Sequence, residues 1–248
     1  MARSAALAAF VVSVIIAVAM VLLTVPAPLS VTNVRAFPVT GSTSAMVTLD
    51  IRNEGRADRL VDARAAGTKL TVLKSPVSTG LPIPAKSEVS LAMEAGHIML
   101  MSVEAPLVPG ASLPIDLEFA KGGVQTVKAM VSDGMVMDHG AVLDVAREDA
   151  PTVEIAVMPD SAGWTVTLQT GGFEFARDLV DGPHVPGKGH AHLYVSGTKI
   201  GRLYAPQGRI GALPPGDYIV EVTLNTNDHR AYGVDGMPIT ASAPIRVD

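Results

Sequence analysis

Apolar and polar positions divide the chain into stretches of different kinds. Residues 5–23 are apolar apart from Ser13, with Arg3 before them. After Pro28 the pattern changes to short runs in which apolar and polar residues alternate: 45–51 (AMVTLDI), 89–93, 97–103 and 113–119. A period of two is the signature of a strand that buries one face. Turn formers such as Asn53-Glu54-Gly55, Val108-Pro109-Gly110 and Lys121-Gly122-Gly123 separate the runs. A second strand-rich block begins at Thr152, with strands predicted over 164–169, 190–195, 199–204 and 218–224. Strands this short and regularly spaced predict an all-β chain. The expected architecture is two β-sandwich domains of cupredoxin-like or Ig-like type behind an N-terminal signal or transmembrane helix. Its expected divisions are 1–30, 31–131, a linker over 132–151, and 152–248.

The apolar run at 5–23 is longer than an ordinary signal-peptide core and just long enough to span a bilayer. Val25-Pro26-Ala27 resembles a small-residue cleavage site, with Pro28 directly after it. Anchor and cleaved signal both place the body outside the cytoplasm: periplasmic, membrane-anchored or secreted. Gly 23 and Pro 18 beside 17% charged residues suit a strand-and-turn fold. A formal net charge of -5 disfavours nucleic acid as a partner, which requires a clustered basic face. The absence of cysteine excludes disulfides, zinc-thiolate sites, thiol nucleophiles, a blue-copper centre and a lipid-modified Cys.

With thiolates unavailable, 11 Met and 6 His are the remaining soft and borderline metal ligands. On the strand 97–103, His97, Met99 and Met101 share one face at about 7 Å spacing. Met46 and the alternating group Met135, Met137 and His139 are candidate supplements. The second block is denser. His190 and His192 lie on one strand face with Tyr194, while Ala191, Leu193 and Val195 point to the core. His184 precedes them in a Gly/Pro-rich loop, His229 ends a later strand, and Met237 follows, so donors from three segments can converge at one end of a sandwich. Asp228 is placed to orient a histidine through its second nitrogen.

The stretch Met93-Glu-Ala-Gly-His-Ile-Met-Leu-Met101, followed by Ala105-Pro-Leu-Val-Pro-Gly110 and preceded by VTLDIRNEGRADRL at 47–60, resembles the PCuAC family of periplasmic copper chaperones. The resemblance covers the first domain and implies a β-sandwich that binds Cu(I) through His97 and Met99. The family's upstream His and Met have no counterpart, since 68–78 (TKLTVLKSPVS) contains neither.

These features predict a non-enzymatic, exported copper-binding protein. It would be a metallochaperone or store using His97, Met99, Met101, His184, His190, His192, His229 and Met237. Its expected ion is Cu(I) or Cu(II), with zinc as an alternative. Its expected partner is a recipient cuproenzyme or membrane copper protein, with the membrane itself a partner if the helix stays uncleaved. A mononuclear copper or zinc enzyme on the His-x-His strand is one competing expectation, and a metal-free adhesion module is another. Neither GxSxG nor HExxH occurs.

Overall fold

The computed structural model describes residues 28–133 and 141–248. The expected leader and the Met135/Met137/His139 group lie outside them. Among the described residues no helix is long and apolar enough to cross a membrane.

The fold is all-β and sandwich-like. The N-terminal half contributes β1 (Leu29–Pro38), β2 (Ala45–Asn53), β3 (Asp58–Ala65), β4 (Thr68–Lys74), β5 (Leu81–Ile83), β6 (Ser87–Leu91), β7 (His97–Val103), β8 (Ser112–Phe119) and β9 (Gly123–Val131). β2 is the organising strand of one layer: it pairs with β1 along one edge, and with β7 and then β6 along the other. β4 extends this layer beyond β7. The facing layer runs β5, β3, β8, β9, and β9 joins β1 through a short parallel contact. Alternation does what the sequence predicts here. Val47, Leu49, Ile51, Ile98, Leu100, Ile115 and Leu117 turn inward into one core, while Met46, Thr48 and Asp50 lie on the outer face of β2.

The C-terminal half contributes β10 (Val142–Asp144), β11 (Thr152–Asp160), β12 (Gly163–Gly171), β13 (Glu174–Phe175), β14 (Lys188–Val195), β15 (Thr198–Leu203), β16 (Gln207–Gly211), β17 (Gly216–Asn225), β18 (Ala231–Val234), β19 (Met237–Pro238) and β20 (Thr240–Val247). One sheet runs β15, β14, β17, β20, and a three-stranded sheet β11, β12, β16 supplies a second layer. Val166, Leu168, Leu193, Val222 and Tyr232 belong to a second core. β10, in a stretch expected to be linker, adds a parallel edge to β18.

The halves are joined through β15. It hydrogen-bonds to β14 on one edge and meets β6 at Lys199 opposite Ser90 on the other. The backbone donors of Gly96 and Ala85 reach the carbonyls of Gly197 and Ala212 at 2.6 and 2.9 Å. Arg59 donates to the Pro215 carbonyl and the Tyr218 hydroxyl. At Gly211 a Cβ would stand 2.0 Å from the Ala85 carbonyl oxygen, so only glycine permits that approach. Lys199 and Glu94 form a 2.6 Å ion pair across the junction, with side chains only 12% and 14% exposed. Burial pushes the Lys199 ammonium below the usual lysine range, and the Glu94 carboxylate opposes that shift.

Removing one partner of such a pair leaves an uncompensated charge. Glu94→Ala is therefore expected to destabilise the chain by about 3–5 kcal/mol. Urea unfolding checks this, and the double replacement Glu94→Leu/Lys199→Met is expected to recover most of the loss.

Candidate metal centre

The centre is built on β14. Residues 189–195 are all buried, so both faces of this strand are covered rather than one. The face carrying His190, His192 and Tyr194, opposite the core-facing residues, is buried as well. β14 is central in its sheet, and on the side away from the core His190 sits against the Tyr204 ring, 5.9 Å between centroids. The resulting exposures are 0% for His190 and 1% for His192. Gly189 makes the geometry possible. A Cβ there would lie 1.9 Å from the Asn225 carbonyl oxygen, so its absence lets β14 and the end of β17 close on each other. The turn after β17 then brings His229, 7% exposed, over β14 with a backbone φ of +72°. Left-handed backbone on a non-glycine residue is costly and concentrates at functional sites.

Three ring nitrogens converge. His190 Nε2 is 3.0 Å from His192 Nε2 and 3.3 Å from His229 Nδ1. One potential ligand atom from each of the three lies within 4.8 Å of the others. Two nitrogens bound at about 2.0–2.1 Å to one ion stand roughly 3–3.6 Å apart, so the 3.0 and 3.3 Å separations fit one shared cation. Hydrogen bonding satisfies the cluster poorly. A neutral imidazole has one donor and one acceptor nitrogen, and a single proton on His190 Nε2 can serve only one of its two neighbours. Burial drives the His190 pKa down to about 3, with the neighbouring His229 adding to the effect, and burial drives His192 down further. Neutral imidazole is the form that binds metal.

Two of the rings are held from behind. His229 Nε2–H donates to the Asp181 carboxylate at 2.5 Å, and its Nδ1 faces the cluster. The hydrogen bond to His229 holds the Asp181 carboxyl below its ordinary pKa. His192 Nδ1 lies 3.1 Å from the Tyr194 hydroxyl, and burial pushes that phenol up and keeps it protonated. Asp181 shares the left-handed backbone of His229, at φ +66°, and its N–H donates to Asn227 O in the His229 turn.

Of the sequence candidates, His190, His192 and His229 come together. His184 stands outside this group, its ring edge-on to Tyr232 at 5.6 Å. Met237 is 70% exposed on a two-residue edge strand, away from the buried environment of the trio. Asp228 does not orient a ring as expected. Its carboxylate takes Arg230 and Thr226, which hold its pKa at about 2, and Asp181 fills the orienting role. Asp181 was missed because it lies 48 positions from His229 with no spacing signal. In the first sandwich, His97 Nδ1–H donates to the Ala95 carbonyl at 3.0 Å, and Met99 lies across from Met46 on one side and Val72 on the other. Met101, 39% exposed, sits opposite Leu70. This strand gathers no third imidazole or carboxylate among the described residues.

Two outcomes follow for the metal-free protein. As pH falls below about 6.5, the unfolded chain takes up protons that the folded His190 and His192 refuse. Stability should therefore drop between about pH 6.5 and pH 3, by up to ~1.4 kcal/mol per pH unit for each ring. Urea midpoints across that range check the slope, which His190→Gln/His192→Gln should flatten. Gly189→Ala should cost about 1–3 kcal/mol by overpacking, read from the same unfolding curves.

Comparison with known proteins places likeness in the N-terminal half. Residues 29–131 match the LpqE-like lipoprotein family. The protein Lxx21020 of Leifsonia xyli subsp. xyli, named a lipoprotein, is 33% identical over 96 residues, or 34% of this chain and 58% of that one. The chain thus spans little more than half the length of this relative. No cysteine is present here to carry a lipid. Solved structures similar to the chain include the apo PCuAC domain of PmoF2 (21% identical, covering 44% of this chain and 94% of that one, TM-score 0.39) and its copper-bound form (22%, 42% and 92%, TM-score 0.39). A third is CuI-DR1885 from Deinococcus radiodurans (23%, 44% and 79%, TM-score 0.35).

Proposed function

We propose that this chain is an exported copper-binding protein of the metallochaperone or storage type, and that it carries its ion on His190, His192 and His229. The observation that carries the reading is the convergence of ring nitrogens from three buried histidines, of which His190 and His192 are kept neutral by burial. An all-nitrogen ligand set suits copper, zinc and nickel, and among divalent first-row ions copper binds such sites most tightly. Asp181 and Tyr194 set which nitrogen of His229 and His192 faces the ion. A bound ion would supply positive charge at the point where the lone pairs meet. The PCuAC resemblance of the first sandwich favours copper over zinc and handover over turnover. For His97 and Met99 we propose a second, softer Cu(I) position, with Met46 beside Met99. Delivery would be to a cuproenzyme or membrane copper protein outside the cytoplasm, where the apolar run at 5–23 would direct the chain.

Calorimetric titration with Cu(II), Cu(I) and Zn(II) tests the assignment. Cu(II) is expected to bind at one site tighter than micromolar, and more tightly than zinc, with electron paramagnetic resonance showing three coordinated nitrogens. His190→Ala and His192→Ala should each abolish that site, and Asp181→Asn should weaken it by about 10–100-fold. Absence of any sub-micromolar copper binding would overturn the reading.

A further inference from the structure

A second place in the molecule is built to hold a ligand, and it is not the histidine cluster. Where the two halves meet, a cleft of about 440 Å³ opens over the outer face of β2. That is the size of an ordinary small-molecule site. Its floor includes Met46 and Asp50, β6 ends there at Leu91, the turn that follows adds Met93, and β15 adds Lys199 and Arg202. β1 supplies the remaining rim, and a bulge decides which residue it offers. Thr32 lies opposite Asp50, but Arg35 rather than Val34 lies opposite Thr48, because one extra residue sits between the two pairs. Asn33, at the bulge, has φ +52° and donates to Asp50. In a strand a one-residue shift exchanges the two faces. The bulge therefore turns the Arg35 guanidinium, not an isopropyl group, toward the cleft.

The polar groups of the cleft do not balance. Glu94 is committed to Lys199. One Asp50 oxygen accepts from Ser90 and the other from Asn33, at 2.6 and 2.7 Å. Arg35 is left over, and Arg202 is held by one long ion pair only. Among the described residues Arg35 has no recorded ion pair or hydrogen bond, and the ion pair of Arg202 is to Asp181 at 3.9 Å, the outer limit of contact. Each guanidinium carries five N–H donors in a planar fork that matches carboxylate and phosphate oxygens. Donors are thus in excess beside the thioethers of Met46 and Met93, and thioethers adapt their shape to apolar guests.

We propose that this cleft binds a small amphipathic organic anion, its carboxylate or phosphate held by Arg35 of the first half and Arg202 of the second, with its apolar body against Met46 and Met93. The cleft shares Arg202 with the surroundings of the histidine cluster but none of its three imidazoles, and its test uses the metal-free chain. Octanoate, octyl phosphate and the uncharged 1-octanol are titrated in turn against protein carrying ¹³C-labelled methionine methyls. At least one of the two anions is expected to bind saturably at one site, shifting the Met46 and Met93 methyls, and 1-octanol should bind at least tenfold more weakly. Whichever anion binds more tightly identifies the headgroup. Arg35→Gln and Arg202→Gln, both at exposed positions, should each weaken binding at least tenfold without lowering the melting temperature. Arg246→Gln, far along β20, should leave binding unchanged. The proposal is overturned if neither anion binds below millimolar concentration, if 1-octanol binds equally well, or if both cleft variants bind like the parent.

Discussion

The contact between β14 and the end of β17 sets the geometry on which the metal centre depends. Gly189 has no side chain, so the Asn225 carbonyl settles against its α-carbon, and the register fixes His190 across from Asn225. The turn that follows must reverse within a few residues, and His229 accepts left-handed backbone to do so. Its ring then falls onto the Nε2 of His190 instead of pointing to solvent. A bulkier residue at 189 would separate the strands and move one ligand of three out of reach. The centre thus rests on close backbone packing before it rests on any imidazole.

Much of the fold could be read directly from alternation. β2, β7 and β8 bury the residues their patterns assign to the interior, since each presents one face to a core and the other outward. β14 was legible as a strand but not as one covered on both faces, because coverage comes from segments distant in sequence: the Tyr204 ring, the His229 turn and the neighbouring half. The short β10 lies in a stretch that reads from sequence as a linker or as a terminal strand plus linker, its pattern being too short to choose between them. At the site, His190, His192 and His229 could be nominated by residue type alone. Their company could not. Excluding His184 and Met237 required knowing which way a proline-rich loop and a two-residue edge strand face. Choosing Asp181 over Asp228 required knowing that Arg230 and Thr226 already occupy the latter.

Electrostatically the histidine cluster and the junction cleft follow opposite designs. Around the histidines, burial strips charge from the rings, and the one carboxylate in contact stays at the surface, with Asp181 74% exposed at its side chain. At the junction, charge is retained, with Glu94 and Lys199 paired and Arg35 uncommitted. Arg202 belongs to both neighbourhoods. It lies directly across from His192 in the β14–β15 register and reaches toward Asp181, while lining the cleft.

The position of β15 between β14 and β6 has a mechanical implication. A strand stitched into both halves acts as a shared girder, so the halves cannot swing as beads on a string. Relative motion would have to be shear that breaks the Lys199–Ser90 bridge and the Ala85–Ala212 contact together. That bridge stands on the same strand as Arg202, the register partner of His192, so the junction and the histidine cluster are built from one element.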